Sequence, residues 1–410
     1  MKVKFLTLGC KVNQYETQAL MEEFIQSGHQ IARGIADLYI INTCTVTSRA
    51  DSKSKEAIAK SKKENPKAKV VACGCLAQLN AEALERLGVD YIVPQDKKAN
   101  LTDIVLERKA SDRGIWSLGV STFFNQRAFI KIQDGCDNFC SFCKIPHTRG
   151  RSKSRAKNEV ITEVERVSIK HKELVLCGIN LGLYGRDLKE PCSLEELLKQ
   201  MLAIKTLGRI RLSSLEPNLI SDGLINLLAD DKLCPHLHLP FQSGDDEILK
   251  KMNKKETVVL YEEIVNKARK VDPEVAISCD IMVGFPHESE AAFANTVEFL
   301  KKVRPMRMHI FSFSPRDKTP LSKAAVKDHK VTKQRYKILK ELHDEFSLEY
   351  KNRFLNKTLF MVAEEEANGF ICGYTQNYLK VHIVDKVDLG QIIPVKIDKI
   401  DSQRVLAKAL

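Results

Sequence analysis

The chain has 410 residues, of which 43% are hydrophobic and 29% are charged, and its formal net charge is +12. This composition is typical of a folded globular protein and excludes the disordered and fibrous classes, while the length predicts two or three domains. The positive charge favours an anionic partner such as a nucleic acid, although solubility alone is an alternative explanation.

The amino terminus enters an apolar strand pattern directly, without the long apolar run and small-residue cleavage site of a secretory signal. No segment approaches the ~20 apolar residues that a membrane span needs. We therefore expect a cytoplasmic protein with no membrane partner. In that compartment the twelve cysteines are more often metal ligands, redox groups or buried small side chains than disulfides.

Residues 1–120 alternate short apolar runs with helical patterns. Strands are predicted at Lys2–Leu8, Leu38–Asn42 and Lys69–Ala72, and helices at Gln14–Gln26, Asp51–Glu64 and Ala81–Arg86. This alternation predicts an α/β domain with a parallel sheet. The segment 107–125 has no strong periodicity and is expected to be a linker.

A second series of β/α units occupies residues 126–350. Its six strands are predicted at Phe129–Gln133, Leu174–Leu176, Ile210–Ser213, His236–Leu239, Val275–Met282 and Met308–Phe313. Helical patterns between them include Leu194–Ile204, Leu219–Leu228, Val258–Val271 and Glu290–Val303. Six successive units favour a partial, TIM-like (β/α)6 barrel over an open doubly wound sheet.

Residues 351–410 change to short strands separated by turn residues. These strands are predicted at Thr358–Ala363, Phe370–Gly373, Leu379–Ile383, Gln391–Ile397 and Val405–Ala409. They would build a small five-stranded β-barrel as a third domain.

Three thiols, Cys136, Cys140 and Cys143, fall within eight residues just after the first strand of the predicted barrel. A compact loop of three thiolates can hold three corners of a four-iron cluster and leave the fourth iron open. The alternative is a Cys₃His zinc site completed by His147. The position at the carboxyl end of a barrel strand, where such folds keep their active sites, favours the cluster.

A second set of cysteines, Cys10, Cys44 and Cys75, is dispersed in sequence, but each follows a predicted parallel strand. The carboxyl ends of parallel strands line one crevice, so these thiols are expected to converge on a second cluster. The alternative is that they are buried as small hydrophobic side chains. Cys73 is a rival ligand to Cys75. Packing roles are expected for Cys177, Cys192, Cys234, Cys279 and Cys372.

The loop of Cys136, Cys140 and Cys143 resembles the signature of the radical S-adenosylmethionine superfamily. With Cys10, Cys44 and Cys75 the whole chain resembles the methylthiotransferases of that superfamily. Further matching segments are Gly74–Gln78, Arg149–Gly150, Gly178–Gly182, Ser213–Pro217, His238–Gly244 and Asp280–Pro286, and the last domain resembles the TRAM RNA-binding barrel.

Within that family, the segments Gly9–Glu16 and Gly373–Tyr378 are similar to those of the MtaB branch. This resemblance implies conversion of N6-threonylcarbamoyladenosine, next to the anticodon of tRNA, to its 2-methylthio derivative. The alternatives are the branch that acts on isopentenyladenosine in tRNA, the branch that acts on an aspartate of a ribosomal protein, and a non-catalytic zinc protein that binds RNA.

The resemblance implies two [4Fe–4S] clusters and S-adenosylmethionine as cofactors. The cluster at Cys136, Cys140 and Cys143 would bind S-adenosylmethionine and cleave it to a 5′-deoxyadenosyl radical, which takes hydrogen from C2 of the adenine. The auxiliary cluster at Cys10, Cys44 and Cys75 would carry the sulfur to be methylated and transferred.

Residues on later strand ends are candidates for holding S-adenosylmethionine, namely Asn180, Ser214, Glu216, Gln242 and Gly284. Glu216 would suit the ribose hydroxyls, with a salt bridge as its alternative role. Gly284 would let the backbone approach the adenine, with a turn as its alternative role.

The expected macromolecular partner is the anticodon stem-loop of tRNA. Lys153 and Arg155 lie in a basic run beside the radical loop and are predicted to contact phosphates. Tyr374, Asn377 and Tyr378 are predicted to stack on or bond unpaired bases, with half-buried strand positions as the alternative for the tyrosines. An electron donor of the flavodoxin or ferredoxin type and a sulfur donor are also expected.

Overall fold

In the computed structural model, which describes residues 1–109, 113–401 and 404–410, the amino-terminal part of the chain forms a five-stranded parallel sheet. Its strands, in the spatial order β2-β1-β3-β4-β5, are β1 Lys2–Thr7, β2 Gln30–Ile31, β3 Leu38–Thr43, β4 Lys69–Gly74 and β5 Tyr91–Val93. The central strand β3 is buried along its whole length, as expected for a parallel strand covered on both faces. The helices are α1 Lys11–Gln26, α2 Ser48–Glu64, α3 Cys75–Leu79, α4 Ala81–Glu85 and α5 Leu101–Val105.

The middle of the chain forms an open barrel of six parallel strands in two halves, β10-β9-β6 and β11-β12-β13. Isolated bridges from Ile210 to Leu233 and from Ser214 to His238 connect the halves. The strands of this region are β6 Ala128–Lys131, β7 Gln133–Asp134, β8 Lys153–Ser154, β9 Glu173–Cys177, β10 Arg209–Leu212, β11 His236–Gln242, β12 Ala276–Val283 and β13 Arg307–Ser312. The helices are α6 Ile145–Arg149, α7 Lys157–Ser168, α8 Leu194–Leu202, α9 Asp222–Asn226, α10 Asp246–Lys251, α11 Val258–Val271, α12 Glu290–Val303 and α13 His329–Asn352.

The carboxyl-terminal residues close into a five-stranded barrel in the order β14-β15-β16-β18-β17. Its strands are β14 Thr358–Ala367, β15 Phe370–Thr375, β16 Lys380–Ile383, β17 Ile392–Ile400 and β18 Val405–Ala409. Closure leaves no unpaired sheet edge. Its interior residues, such as Met361 and Val381, share one hydrophobic cluster with Tyr350 and Phe354 at the end of α13.

The amino-terminal sheet and the open barrel are packed together. One hydrophobic cluster contains Val12 and Phe24 of α1 together with Ile130 of β6 and Val160 of α7. The two predicted active-site regions are therefore held in a fixed relation by a continuous core.

The α/β class, the six barrel strands and the terminal β-barrel confirm the fold predicted from the sequence. The expected linker 107–125 is corrected in its described part, because Leu118, Val120 and Phe123 are buried and the Val120 amide donates to Glu163 at 2.8 Å. Its residues 110–112 lie outside the described chain. None of the helices in the described ranges has the length and apolar character needed to cross a membrane.

Candidate functional site

The first cysteine set lies at the carboxyl edge of the amino-terminal sheet. Cys10 precedes α1 directly, Cys44 follows β3, and Cys75 is the first residue of α3. Burial raises the pKa of the Cys44 thiol to about 11, and the nearby charges of Cys75 and Cys10 add to this effect. The three cysteines, far apart in sequence, therefore lie at one edge of the same sheet.

Cys73, the rival to Cys75, lies within β4 and is fully buried. It belongs to the large hydrophobic cluster rather than to the edge of the sheet. Buried positions also hold the cysteines for which packing roles were expected, Cys177, Cys192, Cys234, Cys279 and Cys372.

Gly9 and Asn13 shape the space around the first cysteine set. Gly9 has φ +95°, and a Cβ at this position would lie 2.8 Å from the Cys44 sulfur, so glycine is required for the thiols to approach each other. Asn13 Nδ2 donates to the carbonyls of Leu8 at 2.7 Å and Thr43 at 3.1 Å. This side chain, in the first turn of α1, ties the ends of β1 and β3 together.

A buried charge network lies beneath these thiols. Glu16 accepts from Lys98 at 2.6 Å, from Lys131 at 2.7 Å and from Arg149 at 3.1 Å. Asp134 accepts from both Arg149, at 2.9 Å, and Lys131, at 2.6 Å. Burial raises the pKa of Glu16, but Arg149, Lys131 and Lys98 lower it by more, so this pKa lies well below its usual range.

This network supports an anionic group at the first cysteine set. Three buried cations face two buried carboxylates, which leaves one positive charge in excess. Burial lowers the pKa of Arg149, but Asp134, Glu16, Cys75 and Cys10 raise it by more. The Arg149 Nε is buried without a hydrogen-bond partner among the described residues. Thiolate ligands carry negative charge, so the donor set and its surroundings fit an iron–sulfur cluster.

The second cysteine set occupies a loop that is anchored at its base. The Cys143 amide donates to the Cys140 carbonyl at 3.0 Å, and the Cys136 amide donates to the Gly150 carbonyl at 3.2 Å. Ser141 donates from its amide to the Met252 carbonyl at 2.9 Å and from its hydroxyl to the Lys251 carbonyl at 3.0 Å. All three cysteines are partly exposed as residues, but burial raises the pKa of the Cys143 thiol to about 11, so the loop holds this thiol largely out of solvent.

His147, the fourth ligand of the zinc alternative, is exposed on the short helix α6. Across the described residues, no three His, Cys, Asp or Glu side chains converge closely enough to share a single metal ion.

One cavity of about 850 Å³ joins the two cysteine sets. Cys75 of the first set and Cys143 of the second both line it, together with Gln242, Asp280 and Met282 from the barrel strands. A ligand held at the second set therefore faces the first set directly.

Two of the residues predicted to hold S-adenosylmethionine have buried polar atoms without a partner in the described chain. Asn180 Nδ2 lies 4.0 Å from the Cys136 sulfur, and both Asn180 Oδ1 and Gln242 Oε1 are buried without partners in the described chain. Gln133, which sequence analysis missed, accepts the Asn180 amide at 2.8 Å and donates to the Gly135 carbonyl at 2.8 Å. It fixes Asn180 relative to the cysteine loop.

The other predicted ligands differ in their surroundings. Glu216 is paired with Lys254, and burial raises its pKa to about 7 in spite of that cation. Ser214 does not line the large cavity but a smaller one beside it. At Gly284, a Cβ would lie 2.7 Å from the Thr332 hydroxyl of α13, so the structure explains this glycine by helix packing.

The predicted RNA contacts at Arg155 and Asn377 are wrong, because both residues are buried. Arg155 Nη1 is 2.5 Å from Glu163 and 3.2 Å from the Tyr15 hydroxyl, so it joins α7 to α1. Lys153 is exposed and remains a candidate phosphate contact.

Tyr374 and Tyr378 are half-buried between the two barrels. Their rings stack at 4.9 Å, with Arg127 4.5 Å from the first and Arg211 4.8 Å from the second. Tyr378 also lies 4.3 Å from the ring of His236. The two tyrosines therefore do not form an open stacking platform. Their placement agrees with the alternative prediction of half-buried strand positions.

Sequence analysis also missed the network of Glu16, Lys98, Lys131 and Asp134. The available signal was the spacing of Asn13 and Glu16, which places them on one face of a helix that starts at the first cysteine. Sequence analysis singled out Arg149 only as part of a matching segment, and its guanidinium is fully buried.

Comparisons with known proteins agree with this architecture. Residues 2–93 match the model of Uncharacterized protein family UPF0004, and residues 130–300 match that of the Radical SAM superfamily. The fold is similar to that of the radical S-adenosylmethionine methyltransferase TsrM from Kitasatospora setae, with a TM-score of 0.58 and 16% identity over 78% of this chain and 77% of that one.

Two curated relatives match almost end to end. The threonylcarbamoyladenosine tRNA methylthiotransferase MtaB of Bacillus subtilis (strain 168) is 37% identical, over 97% of this chain and 94% of the relative. The tRNA-2-methylthio-N(6)-dimethylallyladenosine synthase of Fervidobacterium nodosum is 31% identical, over 98% of this chain and 97% of the relative. The chain therefore belongs to the radical S-adenosylmethionine methylthiotransferase family, in its MtaB branch, and is a transferase that uses S-adenosylmethionine and [4Fe–4S] clusters rather than a zinc-binding protein.

Proposed function

We propose that this enzyme adds a methylthio group to C2 of N6-threonylcarbamoyladenosine next to the anticodon of tRNA. The observation that carries the proposal is the single cavity lined by Cys75 of one cysteine set and Cys143 of the other. Sulfur insertion needs a radical source and a sulfur carrier that both reach the same atom of the substrate. The choice of nucleoside is supported by relatives such as the B. subtilis enzyme, which carries that substrate in its name.

The proposal assigns one cluster to each cysteine set. Cys136, Cys140 and Cys143 would hold the cluster that binds S-adenosylmethionine, and Cys10, Cys44 and Cys75 would hold the auxiliary cluster. When bound, the first supplies the electron that cleaves S-adenosylmethionine to a 5′-deoxyadenosyl radical, and the second supplies an iron site for the transferred sulfur.

The protein's own side chains would bind and orient S-adenosylmethionine and would exclude water from the cavity. Asn180 and Gln242 offer buried polar atoms without partners in the described chain, which suit the polar groups of S-adenosylmethionine. Glu216, held by Lys254, would accept from the ribose hydroxyls, while Ser214 would line the wall of the neighbouring cavity. Arg149 would stabilise the negative charge of the auxiliary site from below, because its charge faces Cys75 and Cys10.

The remaining assignments follow from this function. Residues 1–120 would form the methylthiotransferase domain, residues 126–350 the radical core and residues 351–410 a TRAM domain for RNA. Lys153 would contact an RNA phosphate beside the radical loop. The enzyme would work in the cytoplasm with a flavodoxin or ferredoxin as electron donor and with a separate sulfur donor.

Nucleoside analysis of bulk tRNA tests the substrate. Nuclease hydrolysates from a strain lacking this gene should lose 2-methylthio-N6-threonylcarbamoyladenosine and accumulate the unmethylthiolated nucleoside, and the intact gene should restore it. Loss of the dimethylallyl derivative instead would assign the enzyme to the other tRNA branch. Intact tRNA together with an unmodified aspartate in a ribosomal protein would assign it to the ribosomal branch. Either result contradicts the proposal.

A further inference from the structure

A second cavity of about 430 Å³ lies beside the large one, and apart from Ser214 its lining has no role in the chemistry described above. Its volume is within the range of about 300–1,000 Å³ that is usual for ligand pockets. Asp280 and His309 line both cavities, so the two spaces adjoin at these side chains. A substrate that reacts in the first can extend a substituent into the second.

The lining of the second cavity is cationic. Lys11, Arg211 and Arg307 all line it, and neither Lys11 nor Arg307 forms an ion pair with any residue in 1–109, 113–401 or 404–410. Its carboxylate, Asp280, is already engaged by His238 at 3.2 Å and His309 at 3.1 Å. The lining therefore carries more positive than negative charge.

The ionisation of Tyr378, at the floor of this cavity, reports the same positive field. Burial raises the pKa of the Tyr378 phenol, yet the nearby cations Lys11, Arg127, Arg307 and Arg211 lower it by more, so the pKa lies below its usual value.

Two polar atoms in the cavity have no partner. Ser213 Oγ and His236 Nδ1 are buried without a hydrogen bond in the described chain, and both residues line the cavity. Only 8% of Ser213 and 4% of His236 is exposed. Buried polar atoms are seldom left unpaired, so these atoms indicate a polar ligand.

We infer that this cavity binds the carboxylate of the amino-acid substituent on the target adenosine and so selects it over an adenosine with an apolar substituent. The inference rests on the proposed function, because the threonylcarbamoyl group places a carboxylate on N6 of the base. A dimethylallyl group would desolvate Lys11 and Arg307 without replacing their lost hydration. An RNA phosphate offers the same anionic chemistry, and the test separates the two sources.

Binding measurements on modified RNA test the inference. The reconstituted holoenzyme, without reductant, is titrated with anticodon stem-loops that carry the threonylcarbamoyl group, its primary amide, a dimethylallyl group or no modification. A charge-assisted contact predicts that wild-type enzyme binds the acid at least about tenfold more tightly than the amide. In Arg307→Gln this preference should shrink to about twofold or less.

Arg33→Gln is the matched control, because Arg33 lies away from the site and lines neither cavity. It should keep the full preference for the acid. Equal binding of acid and amide by the wild-type enzyme would overturn the inference even if Arg307→Gln fails to fold. Arg307→Gln weakening all four RNAs by one common factor would also overturn it, because that pattern is a phosphate contact.

The same RNAs separate this inference from the proposed function. Under reducing conditions, methylthiolation of the threonylcarbamoyl RNA supports the proposed function whatever the binding preference is. Methylthiolated product together with equal binding of acid and amide would overturn only the carboxylate pocket. No product from this RNA, but product from the dimethylallyl RNA, would overturn both.

Discussion

Arg149 links the amino-terminal sheet to the open barrel through buried hydrogen bonds and ion pairs. Its guanidinium bonds Asn13 and Glu16 of α1 and Asp134 of β7, and Cys75 and Cys10 add to the acidic groups that raise its pKa. Replacing it by a neutral residue would leave the two carboxylates buried with fewer cations, which is costly. We therefore interpret it as a structural support of the auxiliary site as well as an electrostatic one.

Gly9→Ala is predicted to lower the iron content of the reconstituted enzyme by about half, because its Cβ would collide with the Cys44 sulfur at 2.8 Å and displace that ligand. Gly28→Ala is the control. Gly28 has a similar φ of +80°, but a Cβ added there would meet nothing within 4 Å. It should lose about 1 kcal/mol of stability and keep its iron. Equal iron in the two variants would show that Cys44 is not a ligand.

Lys153→Ala is predicted to reduce the log–log salt dependence of tRNA binding by about one, because one phosphate contact is lost. Binding of tRNA is measured over a range of salt concentrations. Arg155→Ala provides the contrast, since Arg155 pairs with the buried Glu163. It should destabilise the fold by about 3 kcal/mol and leave the salt slope unchanged. An unchanged slope in Lys153→Ala would show that no RNA phosphate contacts this surface.

At the scale of elements, β9 and β10 hold the terminal barrel against the open barrel. Arg209 donates to the carbonyls of Phe360 at 2.8 Å and Tyr374 at 2.9 Å, and Arg211 donates to that of Thr375 at 2.9 Å. Both arginines are oriented by Glu173 on β9. One carboxylate thus sets the docking of the last domain.

Glu173 predicts a defined pH dependence of stability. Burial raises the pKa of Glu173, but Arg209, Arg211 and Arg127 lower it by more, to about 2. A carboxyl whose folded pKa is lowered stabilises the fold above its unfolded pKa of about 4.3 and loses this contribution as the pH falls toward 2. Glu173→Gln should therefore cost about 3 kcal/mol near neutral pH and progressively less in acid.

Thermal unfolding of the apoprotein from about pH 7 to pH 3 measures this effect. The surface variant Glu298→Gln is the control, because Glu298 pairs with the exposed Lys301 and should change stability by less than about 1 kcal/mol at any pH. A constant difference between Glu173→Gln and wild type across this range would contradict the assigned role.

The elements themselves were largely predictable from sequence, whereas the charge network was not. Val258–Val271 and Glu290–Val303 match the observed helices residue for residue, because apolar periodicity and capping act locally. Arg149 and Glu16 are 133 residues apart, and no local pattern shows that two charges will be buried together. For this reason Arg155 was predicted to contact RNA although it is buried. Cysteines after strands were informative because parallel topology alone brings strand ends together.

At the scale of the whole molecule, the two cysteine sets come from separate sheets and meet at one cavity. The core that packs α1 against β6 and α7 fixes their relation, and the terminal barrel completes a cationic recess beside them. The thiols of the two sets come from different parts of the chain, so each set should be removable without loss of the other. That independence is the central claim about this enzyme.

Iron content, 5′-deoxyadenosine and methylthiolated nucleoside, measured together on cysteine variants, test that claim most directly. The variant with Cys10→Ala, Cys44→Ala and Cys75→Ala should keep about half the iron and still cleave S-adenosylmethionine under strong reductant, yet make no methylthiolated nucleoside, because only the sulfur-carrying cluster is lost. The variant with Cys136→Ala, Cys140→Ala and Cys143→Ala should keep the other half and lose cleavage. Wild-type iron content and residual methylthiolation in the first variant would contradict the account, because those cysteines would then only pack the core.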